Sequence, residues 1–258
     1  MALFRKKRGS SETMKKGARL ITAADPKSPV SEQFRTVRTN INFMAVDYDI
    51  KTMAFTSANI SEGKSTVTAN VAITYAQAGL KTLLIDADLR RPTLHSTFDV
   101  QNNRGLTTVL TSEADVFNLD EVVEDSGIEN LSILTSGPIP PNPAELIGSK
   151  RMSTFIDLVK SHYDLVILDL APVLEVSDTQ ALASNLDGVV LVVRQGKTQK
   201  PAIKRAVEML RFAKVRILGY VMNDVSSENN GYGYGYGYGY GYGNENKQKT
   251  GFLSRFRK

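Results

Sequence analysis

The sequence predicts an α/β domain, a doubly wound and mostly parallel sheet with helices on both faces. Three observations predict it. Short apolar runs alternate with helix-period segments from about residue 30 to 225. Three of the runs, Leu83-Leu84-Ile85, Leu165-Val166-Ile167-Leu168 and Val189-Val190-Leu191-Val192-Val193, have no polar face, as strands covered on both sides do not. Finally, Gly63-Lys64-Ser65 stands between a strand pattern and a helix pattern, where a phosphate-binding loop belongs.

Each element follows in order. Residues 1–28 are polar, basic and without period, and are expected to form a flexible arm. A helix pattern runs from about Val30 to Phe43. Lys51–Ser57 is expected as a strand. Lys64–Gln77 is expected as a helix, with Val67, Val71, Ala72 and Tyr75 on one face and Gly79 placed to end it. Lys81–Ile85 is a strand entering Asp86. Residues 105–125 hold one or two helices around Leu106, Val109 and Leu110. Asn130–Leu134 is a strand, followed by a loop rich in glycine and proline, Gly137-Pro138-Ile139-Pro140-Pro141-Asn142-Pro143. Ala144–Ser161 is helical, Asp164–Leu168 and Gly188–Val193 are strands, Pro201–Phe212 is a helix and Arg216–Met222 a last strand. The domain therefore spans 29–225. Residues 226–258 are expected to be disordered.

The chain has 258 residues, 41% of them hydrophobic, enough to bury one sizeable core. It has no cysteine, which excludes disulfides and thiolate metal sites. Val189–Val193 is its longest apolar run, so no membrane span is expected. No apolar stretch follows the charged N-terminus, so no secretory signal is expected either. The net charge of +5 is unevenly placed: residues 1–19 carry seven basic groups and one acid, and residues 244–258 carry five and one. The remaining 20–243 is thus net −5. A net positive charge confined to the ends argues against a nucleic-acid-binding face. Leu3-Phe4-Arg5-Lys6-Lys7-Arg8 and Phe252-Leu253-Ser254-Arg255-Phe256-Arg257-Lys258 set apolar residues beside basic ones. Such ends suit peripheral contact with an anionic membrane, or serve only to keep the chain soluble.

The chemistry begins at Thr56-Ser57-Ala58-Asn59-Ile60-Ser61-Glu62-Gly63-Lys64-Ser65-Thr66. Backbone N–H groups at a helix N-terminus converge on phosphate oxygens, so Ser61, Glu62, Gly63, Lys64, Ser65 and Thr66 form the candidate nucleotide site. Lys64 would bridge the terminal phosphates and the Ser65 hydroxyl would ligate Mg²⁺; Thr66 would support the helix start. Ala58 stands where the usual pattern has its first glycine. Two acidic motifs end buried strands, Ile85-Asp86-Ala87-Asp88 and Leu168-Asp169. Mg²⁺ usually takes one or two carboxylates besides phosphates and waters, so three aspartates exceed its need. One is left to accept a proton from an incoming hydroxyl. Asp86 is assigned that role and Asp88 and Asp169 the metal, although the three roles can be permuted. His95 and His162 lack the partners of a zinc site and are read as surface or structural residues.

From Gly231 to Gly243 glycine and tyrosine alternate, placing Tyr232, Tyr234, Tyr236, Tyr238, Tyr240 and Tyr242 one residue apart. Folding has no use for such a tract, but it offers a row of accessible phenols on a tether.

Together these residues resemble the bacterial tyrosine kinases (BY-kinases) of the cytoplasmic CpsD/CapB type. The resemblance rests on Ser61-Glu62-Gly63-Lys64-Ser65-Thr66, Ile85-Asp86-Ala87-Asp88-Leu89-Arg90-Arg91-Pro92, Ser136–Leu146 and Leu168-Asp169 with Pro172-Val173. It implies an ATP- and Mg²⁺-dependent kinase that phosphorylates its own C-terminal tyrosines and helps control capsule or exopolysaccharide synthesis. It also implies a separate membrane-bound activator that recruits the cytoplasmic kinase to the inner face of the membrane. Glu32-Gln33-Phe34-Arg35-Thr36-Val37-Arg38 resembles the family's Glu-x-x-Arg-x-x-Arg helix, which supports a ring-shaped octamer with tails entering neighbouring sites. Glu32, Arg35 and Arg38 lie near one helical face, so they either pair across an interface or pair within the helix. Two departures stand out: Ile60 where many relatives have proline, and Leu170-Ala171 in place of Thr-Pro, which removes a hydroxyl expected near Asp169.

Two other functions remain in view. A partition or septum-positioning ATPase shares the fold, but carries a second lysine where this chain has Asn59, and has no use for the tyrosines. A non-catalytic assembly module would use the Gly-Tyr repeats for stacking, unmodified.

Overall fold

The computed structural model describes residues 16–44, 46, 48–112 and 118–225. The tyrosine tract, the basic C-terminal cluster and the first fifteen residues of the arm lie outside the described residues.

The sheet grows from the apolar runs. Its strands are β1 (Thr52–Ser57), β2 (Thr82–Asp86), β3 (Val123–Ile128), β4 (Leu131–Leu134), β5 (Leu165–Asp169), β6 (Gly188–Arg194) and β7 (Ile217–Asn223). They lie in the order β3-β4-β2-β5-β1-β6-β7. Every pairing is parallel except β3 with β4. Side chains alternate across a strand, so one run feeds two cores. Leu83, Ile85, Val166 and Leu168 enter the core on one face; Leu84, Ile167, Met53 and Phe55 enter the core on the other.

Ten helical segments were not all foreseen, and among the described residues nine α-helices cover the two faces. In order they are α1 (Ile21–Ala24), α2 (Pro29–Met44), α3 (Lys64–Ala76), α4 (Leu94–Phe98), α5 (Leu106–Thr111), α6 (Pro143–Ile147), α7 (Lys150–His162), α8 (Asp178–Ala183) and α9 (Lys200–Phe212), with a single 3₁₀ turn at Leu119–Glu121. Helices α5, α7, α8 and α9 supply Leu106, Phe155, Leu182 and Leu210 to the first core, and α2 and α3 supply Ile41, Val71 and Tyr75 to the second. Helix α3 is buried at eleven of its thirteen positions. It ends near Gly79, whose φ of 90° is the left-handed turn expected there.

The structure corrects several expectations. The arm does not extend to residue 28. Residues 19–22 are tied to α3 through Asn70, whose Oδ1 accepts from the Thr22 amide and hydroxyl at 3.0 and 2.9 Å. Asn70 Nδ2 in turn donates to the Arg19 carbonyl at 2.9 Å. One of the helices expected within 105–125 is α5, but Val123–Ile128, an antiparallel edge strand on β4, went unforeseen. The long helix expected over 144–161 is two helices, since Ser149 caps a new one by accepting from the Met152 amide at 3.1 Å. Helices α4 and α8 went unforeseen. The remaining strand and helix boundaries differ from expectation by one or two residues.

Candidate active site

The sheet places its ligands at the carboxyl ends of its strands. β1 ends at Ser57 and turns through the loop 58–63 into α3, so Lys64 opens the helix. β2 and β5 are neighbours in register, with Asp86 directly opposite Asp169. The four charged groups predicted for the chemistry thus meet at one edge. Lys64 Nζ lies 2.8 Å from Asp169 Oδ1 and 3.4 Å from Asp88 Oδ2, and donates to the Ser65 hydroxyl at 3.2 Å. All four are buried.

The electrostatics follow from that burial. Burial alone would lower the Lys64 pKa, but the carboxylates of Asp169 and Asp88 outweigh it and hold the amine above its ordinary value. Burial raises the Asp169 pKa, against the opposing charge of Lys64. Asp86 is pushed up to about 7 by burial, with the Asp169 charge adding to it and the Leu94 amide opposing it. Asp86 Oδ2 accepts from the amides of Thr93 and Leu94, both at 2.9 Å. Its Oδ1, like Asp169 Oδ2, is buried without a hydrogen-bond partner. The unsatisfied oxygen of Asp169, a predicted metal ligand beside Lys64 and Ser65, is what a cation would complete, so the residues fit Mg²⁺. Among the described residues no three His, Cys, Asp or Glu are gathered to hold a metal unaided. A cation here would therefore draw on Ser65 and on phosphate oxygens as well.

The loop itself is shaped by side chains. Glu62 is buried, and its carboxylate accepts from the Ala58 amide at 3.0 Å and from Asn59 Nδ2 at 3.1 Å. Glu62, expected to touch nucleotide, thus shapes the loop through its carboxylate. Ala58, in the place of the first glycine, is fully buried. Gly63 has φ 87°, the left-handed region that favours glycine. The Thr66 carbonyl accepts from Asn70 Nδ2 at 2.8 Å.

One contributor went unforeseen. Thr68 Oγ1 lies 2.9 Å from the Lys64 carbonyl and 3.2 Å from Asp169 Oδ1, and shares its one proton between the two acceptors. This replaces the hydroxyl whose loss Leu170-Ala171 had implied. Thr68 stands four residues after Lys64 and so shares its helix face. The two histidines are elsewhere: His95 sits in α4, its pKa lowered by burial, and His162 is exposed at the end of α7.

The helix motif is resolved too. Arg35 pairs with Glu32 at 2.8 Å within α2 and donates to the Pro26 carbonyl at 2.6 Å. Arg38 donates to the Thr74 carbonyl of α3. Within one chain, then, Glu32 and Arg35 meet and Arg38 turns inward.

Comparisons with known proteins agree with this geometry. Residues 50–215 match the AAA domain family. The chain is 47% identical over 223 residues to the tyrosine-protein kinase YwqD of Bacillus subtilis, covering 86% of this chain and 91% of that one. Among solved structures it resembles the chimerical protein CapA2B2, at 40% identity and TM-score 0.74, over 79% of this chain and 88% of that one. It also resembles the kinase domain of the Escherichia coli tyrosine kinase ETK, at 30% identity and TM-score 0.75, over 92% and 89%. With a phosphate loop, a buried lysine and three strand-end aspartates set as described, the chain belongs to the bacterial tyrosine kinases, on an AAA domain.

Proposed function

We propose that this kinase phosphorylates its own tyrosine tract, Tyr232 to Tyr242, in trans within an oligomer, and that the phosphate count regulates capsule or exopolysaccharide synthesis. The observation that carries the reading is the meeting of Lys64, Asp86, Asp88 and Asp169 beside the phosphate loop. Lys64 binds the terminal phosphates of ATP, and the loop amides orient them. Ser65, Asp88 and Asp169 would hold Mg²⁺, which would supply charge neutralisation at the phosphates. Asp86 orients the tyrosine hydroxyl and takes its proton late. A base is most useful with a pKa near the working pH, and the raised pKa of Asp86 supports that assignment. Glu32, Arg35 and Arg38 contribute to the oligomer contact. A membrane-bound activator recruits the kinase to the inner face of the membrane, aided by the basic ends. Among the described residues no helix is long and apolar enough to cross a membrane.

The test is to incubate the purified full chain with ATP, Mg²⁺ and a membrane-activator fragment and to read the tract by mass spectrometry. Phosphate should accumulate on several tyrosines in the wild type and be lost in Lys64→Met. Equal phosphorylation of the two would end the autokinase reading. Liposome flotation with and without residues 252–258 tests the membrane contact, and equal binding to anionic vesicles counts against it.

A further inference from the structure

A phosphate loop presents its amides to one side, which leaves its carbonyls pointing to the other. Here those carbonyls are met by donors from the opposite half of the sheet. Arg194, the last residue of β6, donates from Nη1 to the Ser61 carbonyl at 2.9 Å. Lys197 Nζ lies 3.3 Å from the same oxygen and 3.5 Å from the Ile60 carbonyl. Asn223, the last residue of β7, donates from Nδ2 to the Glu62 carbonyl at 3.0 Å. It packs so closely that a Cβ on Gly63 would fall 1.9 Å from its Nδ2. The loop needs such support, because Ser61 is held at φ 62°, a left-handed conformation disfavoured for a residue with a side chain.

Arg194 is itself held. Its Nε lies 3.1 Å from Asp224 Oδ2, and the Gln195 amide donates to the Asn223 carbonyl at 3.0 Å. A guanidinium suits this task, since its planar fork donates in two directions at once. One edge grips Asp224 and the other grips the phosphate loop. Asp224 also takes left-handed backbone, φ 60°, where the chain leaves β7. Residue 226, two positions on, begins the stretch that leads to the tyrosines.

We propose that Arg194, clamped by Asp224 and seconded by Asn223, is a positioning residue for the nucleotide: it braces the carbonyl side of the phosphate loop and ties that loop to the base of the tyrosine tail. The brace keeps the amides of residues 61–65 aimed at phosphate oxygens without touching the phosphates. It also makes the base of the tail a point from which nucleotide affinity can be altered. The proposal rests on the phosphate-loop reading alone, and not on which tyrosines accept phosphate.

The full chain is titrated with Mg²⁺-ADP by calorimetry, and amide hydrogen exchange is followed over residues 57–66 without nucleotide. Arg194→Ala and Asp224→Ala should each weaken binding by about tenfold, the loss expected for one charge-assisted hydrogen bond. The double variant should bind no more weakly than Arg194→Ala, because Asp224 acts through Arg194. Asp224→Asn keeps an acceptor for Nε and should recover most of the affinity. Exchange should accelerate in the loop peptide and not in β2 or β5. Binding within twofold of wild type in both single variants would overturn the proposal. So would effects that multiply in the double variant, or exchange that rises across the whole sheet, which marks general destabilisation. Lys64→Met serves as the separate control: if it binds Mg²⁺-ADP as wild type does, the nucleotide site is misplaced, whereas loop exchange still judges the brace.

Discussion

Thr68 shows how much a single hydroxyl can carry. Its one proton is shared between the Lys64 carbonyl and the Asp169 oxygen that Lys64 grips, so it helps to orient a buried carboxylate facing the cation site. Thr68→Val should lower the rate of tyrosine phosphorylation by about tenfold, the worth of one hydrogen bond to a charged group, and Thr68→Ser should restore it. Initial rates across a Mg²⁺ titration check this, with the loss expected to be largest at low Mg²⁺. Lys64, Asp86, Asp88 and Asp169 were legible in the sequence because motif and strand end coincide there. Thr68 was not, because threonine inside a helix carries no motif. The part played by Glu62 was also hidden. A carboxylate beside Gly63-Lys64 invites a ligand role, and only the backbone turn reveals that it folds back on Ala58.

At the scale of elements, the parallel core was legible and its margins were not. The strands with no polar face could only be central. β3 reads Val-Glu-Asp-Ser-Gly-Ile, half-buried or exposed throughout, and its hydrogen bonds to β4 hold it in place more than any apolar pattern does. Helices α4 and α8, of five and six residues, are too short to show a period. Two side chains join elements far apart in sequence. Asn70 fastens α1 to α3, and Asn70→Ala should cost about 2–4 kcal/mol by stranding buried partners. Protease cleavage between residues 16 and 28 should then precede global unfolding. Asp187 joins the starts of β1 and β6 to α7. Its Oδ2 accepts from the Lys51 and Thr52 amides and the Thr52 hydroxyl, at 3.1, 2.7 and 2.8 Å. Its Oδ1 lies 3.6 Å from Lys160. Burial would raise the Asp187 pKa, but the Thr52 hydroxyl and amide bonds and the Lys160 charge outweigh it and set it below the ordinary value. A carboxylate with a depressed folded pKa stabilises above its unfolded pKa, near 4, and that stability is lost as pH falls through the folded value. Asp187→Asn should therefore flatten the acid side of a plot of unfolding midpoint against pH below about 5.

For the whole molecule, charge is the quantity to follow. Each tyrosine phosphate adds about −1.5 to −2, so six would add roughly −9 to −12. That exceeds the +4 of residues 244–258. A tail that enters an acidic site unmodified would leave it as phosphates accumulate. Single Tyr→Phe changes in the tract should therefore reduce polysaccharide output by degrees, measured in cells; abolition by any one of them would rule out counting. Assembly was the least legible property, because Glu32, Arg35 and Arg38 have the same spacing whether they serve a neighbour or their own chain. Helix α3 has a consequence of a different kind. The helix that opens with the phosphate lysine is also the one most completely enclosed by the core. Catalysis and folding are therefore inherited together. A lineage cannot explore new sequences along residues 64–76 for one purpose without risking the other, and a saturation scan should show that stretch as a single intolerant block.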